Sequence, residues 1–211
     1  MKKILFYGDS ITDCDRDYQA RIGTEEQWGL GYVRYIATQL FLEKDGIYQV
    51  INQGINGNRV TDLRDRLERD VLSFKPDYVY IMIGINDVWC HFNSYTQGIE
   101  QVDPDMFQSI YGSIIKKLKE QGIEVILGTP FFLEPNKKDE MRQMMDHYGE
   151  IVKYLGNQHV FHVVDVQATF DQFLKKFNSY AISWDRVHLN YRGNTLLGMG
   201  IYKHLIKILP K

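Results

Sequence analysis

The chain has 211 residues, 44% of them hydrophobic and 25% charged, with a formal net charge of −2. These values fit a globular fold that buries one substantial core without disulfides or metals, and they exclude a general electrostatic attraction to nucleic acid or anionic lipid. Two cysteines, Cys14 and Cys90, make no disulfide framework and are expected as free thiols in a reducing compartment. No stretch approaches the ~20 apolar residues of a membrane span. The apolar run Ile4 to Tyr7 falls short of the ~7–15 residues of a signal-peptide core, so the expectation is a cytoplasmic protein.

In chain order, Lys3–Tyr7 reads as a first strand, short and almost wholly apolar. An irregular piece, Asp9–Leu30, separates it from a helical pattern at Tyr32–Leu42. Tyr48–Asn52 is a second strand and Val60–Leu72 a second helix, with Arg and Asp on its polar side. Tyr78–Ile83 is a third strand, and a second irregular piece, Val88–Pro104, leads to a helix over Asp105–Lys119. That helix sets Ile110, Ile114, Ile115 and Leu118 against a lysine face. Glu124–Leu127 is a fourth strand, Thr129–Asp139 a third irregular piece, and Met141–Leu155 a helix. Val160–Val164 is a fifth strand, followed by helices at Thr169–Phe177 and Thr195–Leu209. Apolar strands alternating with amphipathic helices predict right-handed βαβ units around a parallel sheet, an α/β fold in one domain spanning 1–211. All three irregular pieces follow strands, at the carboxyl edge where open α/β sheets bind ligands.

Four blocks in those positions carry chemistry. Gly8-Asp9-Ser10-Ile11 follows the first strand; Gly8 offers a sharp departure, and Ser10 a hydroxyl at the strand end. Asn52-Gln53-Gly54-Ile55-Asn56-Gly57-Asn58 follows the second, and its glycine spacing fits neither a dinucleotide fingerprint nor a phosphate loop. There the backbone N–H of Gly57 is a candidate oxyanion donor. Gly84-Ile85-Asn86-Asp87 follows the third, with the Asn86 amide as another donor. Near the end stands Asp185-Arg186-Val187-His188, in which a carboxylate three residues before a histidine can hold its Nδ1–H and leave Nε2 free to take a proton. Each block alone is commonly a cap or a turn. Together, in the order Ser, Gly, Asn, Asp-x-x-His, they supply a nucleophile, oxyanion donors and an oriented base, the parts that acyl transfer needs.

With those four blocks the chain resembles the SGNH hydrolases, or GDSL-like lipases/acylhydrolases. Ile11 replaces the leucine of the family name. A closer resemblance, to intracellular acetylxylan esterases, rests on Gly31-Tyr32-Val33, on Ile81 through Trp89, on Met141 to Tyr148, and on Trp184-Asp185-Arg186-Val187-His188. Leu189-Asn190 departs from the proline usual after the histidine. The resemblance implies a flavodoxin-like, three-layer α/β/α sandwich with a five-stranded parallel sheet of order 2-1-3-4-5. It implies catalytic Ser10, Asp185 and His188, an oxyanion hole of Ser10, Gly57 and Asn86, no metal and no cofactor. The implied substrate is a small acyl ester, an acetylated xylo-oligosaccharide or related sugar, and self-association is expected.

Trp89 and Trp184 flank the blocks and are expected to wall the site with aromatic faces suited to a sugar ring. His159 and His162 are read within or beside the fifth strand, where residues three apart face opposite ways and make a poor metal pair. His91 is a candidate neighbour of the site. Two competing readings stand beside this one: a lysophospholipase, thioesterase or broad carboxylesterase on the same machinery, and a non-catalytic flavodoxin-like binding module.

Overall fold

The computed structural model describes residues 1–93, 100–159 and 161–210. Five parallel strands form one sheet in the order β2-β1-β3-β4-β5: β1 (Lys2–Gly8), β2 (Tyr48–Gly54), β3 (Tyr78–Met82), β4 (Glu124–Gly128) and β5 (His162–Val164). Ile4, Leu5, Phe6 and Tyr7 of β1 are wholly buried, as expected of a strand covered on both faces. Phe6 and Tyr80, on neighbouring strands, meet Tyr32 from a covering helix, with ring centroids 5.6–6.2 Å apart.

Nine α-helices surround the sheet among the described residues: α1 (Ser10–Asp13), α2 (Glu25–Trp28), α3 (Tyr32–Glu43), α4 (Val60–Asp70), α5 (Ile85–Trp89), α6 (Pro104–Glu120), α7 (Glu140–His159), α8 (Val166–Leu174) and α9 (Tyr191–Ile208). The step from β1 to β2 runs one way across the sheet, and the steps β2–β3–β4–β5 run the other. Right-handed crossovers therefore send α3 to one face and α4, α6 and α7 to the opposite one. The packing agrees: α4 lies on α6 and α6 on α7, whereas α3 lies on α9 and α9 on α8.

The sequence reading locates every strand, although Val160, its proposed start for β5, lies outside the described residues. It places the last two helices late. Asp165 accepts a hydrogen bond from the Ala168 N–H and starts α8 at Val166; Asn190 accepts from Arg192 and Gly193 and starts α9 at Tyr191. Three short helices, α1, α2 and α5, occupy stretches read as irregular or as part of a motif. They are four or five residues long, too short for a periodic apolar pattern. The helix α7 runs on to His159, so the paired histidines are not strand neighbours. His159 ends the helix and stacks on Phe161, while His162 opens β5.

Candidate active site

The switch point of the sheet lies at β1, with β2 on one side and β3 on the other. Ser10, Gly57 and Asn86 follow these three strands, so topology brings the first three blocks to one edge.

Ser10 is the first residue of α1, and its N–H is one of the donors a helix start leaves free. Asp9 caps this helix, accepting from the Ile11 N–H at 2.9 Å. The two glycines here act through absence of a side chain. A Cβ on Gly8 would sit 2.4 Å from Thr12 Oγ1 and 2.5 Å from the Met82 carbonyl; one on Gly54 would sit 2.1 Å from the Asp13 nitrogen. Gly8 does not adopt the left-handed region; what calls for glycine there is space. Both residues let α1 lie directly against the ends of β1 and β2.

Gly57, by contrast, has φ +78° with nothing within 4 Å of an added Cβ, so only its backbone angle calls for glycine. One residue on, the Asn58 carbonyl accepts from Asn86 Nδ2 at 2.9 Å. The Asp87 carboxylate accepts from the Val60 N–H at 3.0 Å, tying the start of α4 to α5. The loops carrying Gly57 and Asn86 are thus fastened to each other. An amide nitrogen carries two hydrogens, so Asn86 retains a second donor.

His188 arrives from the far end of the chain. Its Nδ1 lies 2.6 Å from Asp185 Oδ2, and its Nε2 lies 3.1 Å from Ser10 Oγ. Asp185 Oδ1 accepts from the His188 N–H (2.7 Å), the Val187 N–H (2.9 Å) and Ser183 Oγ (3.1 Å). Burial works to raise the Asp185 pKa, but the hydrogen bonds from the His188 ring and the two backbone N–H groups outweigh it and hold the carboxyl below its ordinary value. A carboxylate bound in this way fixes the tautomer that protonates Nδ1 and leaves Nε2 as a base.

The loop carrying His188 is held from two further sides. Arg186, in a left-handed conformation (φ 69°), pairs with Glu134 at 2.5 Å and lies over the Phe132 ring. Asn194 Nδ2 donates to the Leu189 carbonyl at 2.9 Å, while its Oδ1 accepts from the Tyr32 N–H. Leu189 pairs with Ser183 in an isolated bridge, and Asn190 serves as a helix cap, so residues in place of the usual proline still brace the loop. Ser183 and Asn194 carry no pattern in the sequence; only the folded contacts reveal them.

Beside Ser10 and His188 opens a cavity of about 280 Å³ with a largely polar lining that includes Asp13, Asp15, Asn56 and Asn194. Trp184 also lines it, 75% exposed, with its ring nearly parallel to His188 at 6.1 Å. Trp89 does not line this cavity. It packs partly buried against the core, its ring 6.0 Å from His188, because α5 turns it inward. His91 contacts the Val102 carbonyl. Among the described residues there is no group of three or more side chains suited to a metal ion, and no helix is long and apolar enough to cross a membrane.

A model of the GDSL-like lipase/acylhydrolase family matches residues 6–196. The acetylxylan esterase of Geobacillus stearothermophilus is 39% identical over 206 residues, covering 97% of this chain and 94% of that protein. The solved structure of that organism's acetylxylan esterase Axe2 superposes with a TM-score of 0.92 at 38% identity, over 97% of this chain and 94% of Axe2. LAE5, an α/β hydrolase enzyme from the metagenome of Lake Arreo, gives 0.93 at 34% identity, over 99% and 97%. Catalytic mutants of Axe2 replace a serine, an aspartate and a histidine, the last two at the three-residue spacing of Asp185 and His188.

Proposed function

Because the chain belongs to the GDSL-like lipase/acylhydrolase family and is a serine hydrolase of carboxylic esters, we propose that Ser10, His188 and Asp185 are its nucleophile, base and orienting acid, and that it removes acetyl groups from acetylated xylo-oligosaccharides or closely related sugars. The observation that carries this reading is the continuous chain Asp185–His188–Ser10, linked at 2.6 and 3.1 Å. His188 Nε2 takes the proton of Ser10 as its oxygen attacks the ester carbonyl. Asp185 stabilises the imidazolium that forms. The N–H groups of Ser10 and Gly57, with the Asn86 amide, receive the developing oxyanion. His188 returns the proton to the leaving alcohol, and water then cleaves the acyl-enzyme by the same steps in reverse.

The small polar cavity supports a short acyl group on a polyhydroxylated alcohol over a long-chain lipid, which requires a sizeable apolar surface. Trp184, exposed at its wall, supplies an aromatic face for a sugar ring. Among the described residues Cys14 and Cys90 form no disulfide with each other, which suits a reducing compartment. Exposed Tyr180, Trp184 and Tyr191 support self-association.

The test is acetate release from acetylated xylo-oligosaccharides set against butyryl and decanoyl esters, with stoichiometric labelling of Ser10 by a serine-reactive phosphonate. Labelling with a preference for decanoyl esters returns the protein to the lipase or thioesterase reading. Absence of labelling returns it to the binding-module reading.

A further inference from the structure

The cavity beside Ser10 carries charge of one sign. Its lining includes the carboxylates of Asp13 and Asp15 and, among the described residues, no lysine or arginine. Arg16, next along, is turned inward: its Nε donates to the Gly54 carbonyl at 2.7 Å, and the residue is buried.

The two carboxylates differ. Asp13 is buried and occupied, accepting from the Asn56 N–H, the Arg16 N–H and the Tyr18 hydroxyl. Asp15 is exposed, with no hydrogen bond or ion pair among the described residues. Its backbone is left-handed at φ 60°, directly after Cys14 at φ 41°. Non-glycine residues seldom adopt that region, and such strain gathers where a fold aims a side chain. The turn is fixed on both sides, by the Arg16 N–H donating to the Asp13 carbonyl and the Leu30 N–H to the Cys14 carbonyl. The Cys14 thiol between them is pushed up to about 11, by burial first and then by the charges of Asp15 and Asp13.

We infer that Asp15 sets the charge preference of the alcohol half of the ester: neutral or cationic alcohols are accepted, and anionic ones, such as those of uronate- or phosphate-bearing sugars, are turned away. This rests on the esterase reading above and narrows its substrate class. A carboxylate free of partners at the cavity wall keeps its full field for an incoming ligand. A second negative charge there has no cation to answer it.

Three acetyl esters of matched shape test this: phenyl acetate, 3-acetoxybenzoate and the acetate of 3-hydroxy-N,N,N-trimethylanilinium. The ranking of kcat/KM should be cation over neutral over anion. Each step should be about three- to five-fold at low ionic strength, as for unit charges some 8 Å apart in a solvent-rich cleft. Asp15→Asn should shrink the cation-to-anion ratio by the product of the two steps, about nine- to twenty-five-fold, and asparagine tolerates the left-handed backbone. Salt at ~0.5 M should shrink the ratio in the wild type, since the Debye length falls well below ~8 Å. Asp105→Asn, at the exposed start of α6, changes net charge equally and should leave the ratio in place.

A ratio unmoved by Asp15→Asn in a protein of wild-type melting temperature overturns the inference. So does a salt-independent ratio in the wild type, whether or not the variant folds, and so does an equal effect of Asp105→Asn. These outcomes leave the esterase assignment standing. Failure of the wild type to cleave any of the three esters removes that assignment and the inference with it.

Discussion

The two halves of the Ser10–His188 pair are held by different physics. Ser10 sits on a four-residue helix pressed against strand ends so closely that neither Gly8 nor Gly54 has room for a methyl group. His188 sits in a loop with a left-handed residue at its centre, and its position depends on one carboxylate receiving four hydrogen bonds. Packing sets the first and charge-assisted hydrogen bonding the second. The serine side should therefore fail by steric change and the histidine side by loss of a polar partner.

The largest effect breaks the pair itself. Ser10→Ala should lower kcat by about 10⁶-fold with an unchanged melting temperature, and His188→Ala should cost as much, since the two act as a unit. Asp185→Ala should cost less, about 10⁴-fold, because water partly replaces an orienting group. Steady-state kinetics beside thermal melts check this. A folded Ser10→Ala protein that keeps a tenth of its activity would remove Ser10 as nucleophile.

Next in size is a steric break on the serine side. Gly54→Ala sets a Cβ 2.1 Å from the Asp13 nitrogen and 2.5 Å from the Thr12 carbonyl carbon, both backbone. No rotamer relieves that, so the change should cost about 3 kcal/mol or more. The melting temperature should then fall by about 6–12 °C. Gly57→Ala meets no atoms, only the left-handed angle, and should cost about 1 kcal/mol while reducing activity through a displaced N–H. Equal losses at the two glycines would contradict the close-packing account.

On the histidine side a smaller polar cut should sharpen the contrast. Ser183→Ala removes one of the four hydrogen bonds to Asp185, worth about 1 kcal/mol. It should lower kcat several-fold and leave KM nearly unchanged. A change confined to KM would place Ser183 with substrate instead.

The same contrast explains what the sequence made legible. Strand positions followed from apolar runs, and the four blocks followed from glycine, asparagine and Asp-x-x-His spacing, because these are local patterns. The meaning of Gly8 was not legible: sequence suggests turn freedom, and only the 2.4 Å approach of Thr12 reveals a demand for space. Ser183 and Asn194 support His188 through contacts set by tertiary structure, with no periodicity to mark them. Trp89 and Trp184 look alike beside their motifs. Trp89 ends α5 and packs partly buried against the core, whereas Trp184 stands exposed before Asp185.

The smallest effect concerns pH and separates the two sides by sign. Asp9 and Asp87, beside Ser10 and Asn86, are 2% and 0% exposed. Burial pushes both carboxyls up to about 7, against an ordinary value near ~4; the Ile11 and Val60 N–H groups pull the other way without prevailing. Raised carboxyls favour the protonated form in the fold. Their contribution to stability is therefore full below about pH 4 and is lost as pH rises towards 7. Asp185 on the histidine side is shifted down, so its contribution is present at neutral pH and lost on acidification. Asp87→Asn removes one of the raised groups while its side-chain carbonyl still accepts from the Val60 N–H. It also relieves Asp9 of a neighbouring charge that helps raise it. The variant should gain stability at pH 8 relative to pH 5 when compared with the wild type, read as the shift in urea midpoint between the two pH values. Asp185→Asn should leave that difference nearly unchanged, because a lowered carboxyl is ionised in both the folded and unfolded states at pH 5 and at pH 8; its loss should shrink only on acidification below about pH 4. If Asp185→Asn moves the pH 5 to pH 8 difference as Asp87→Asn does, the division between a buried serine side and a charge-held histidine side does not describe this site.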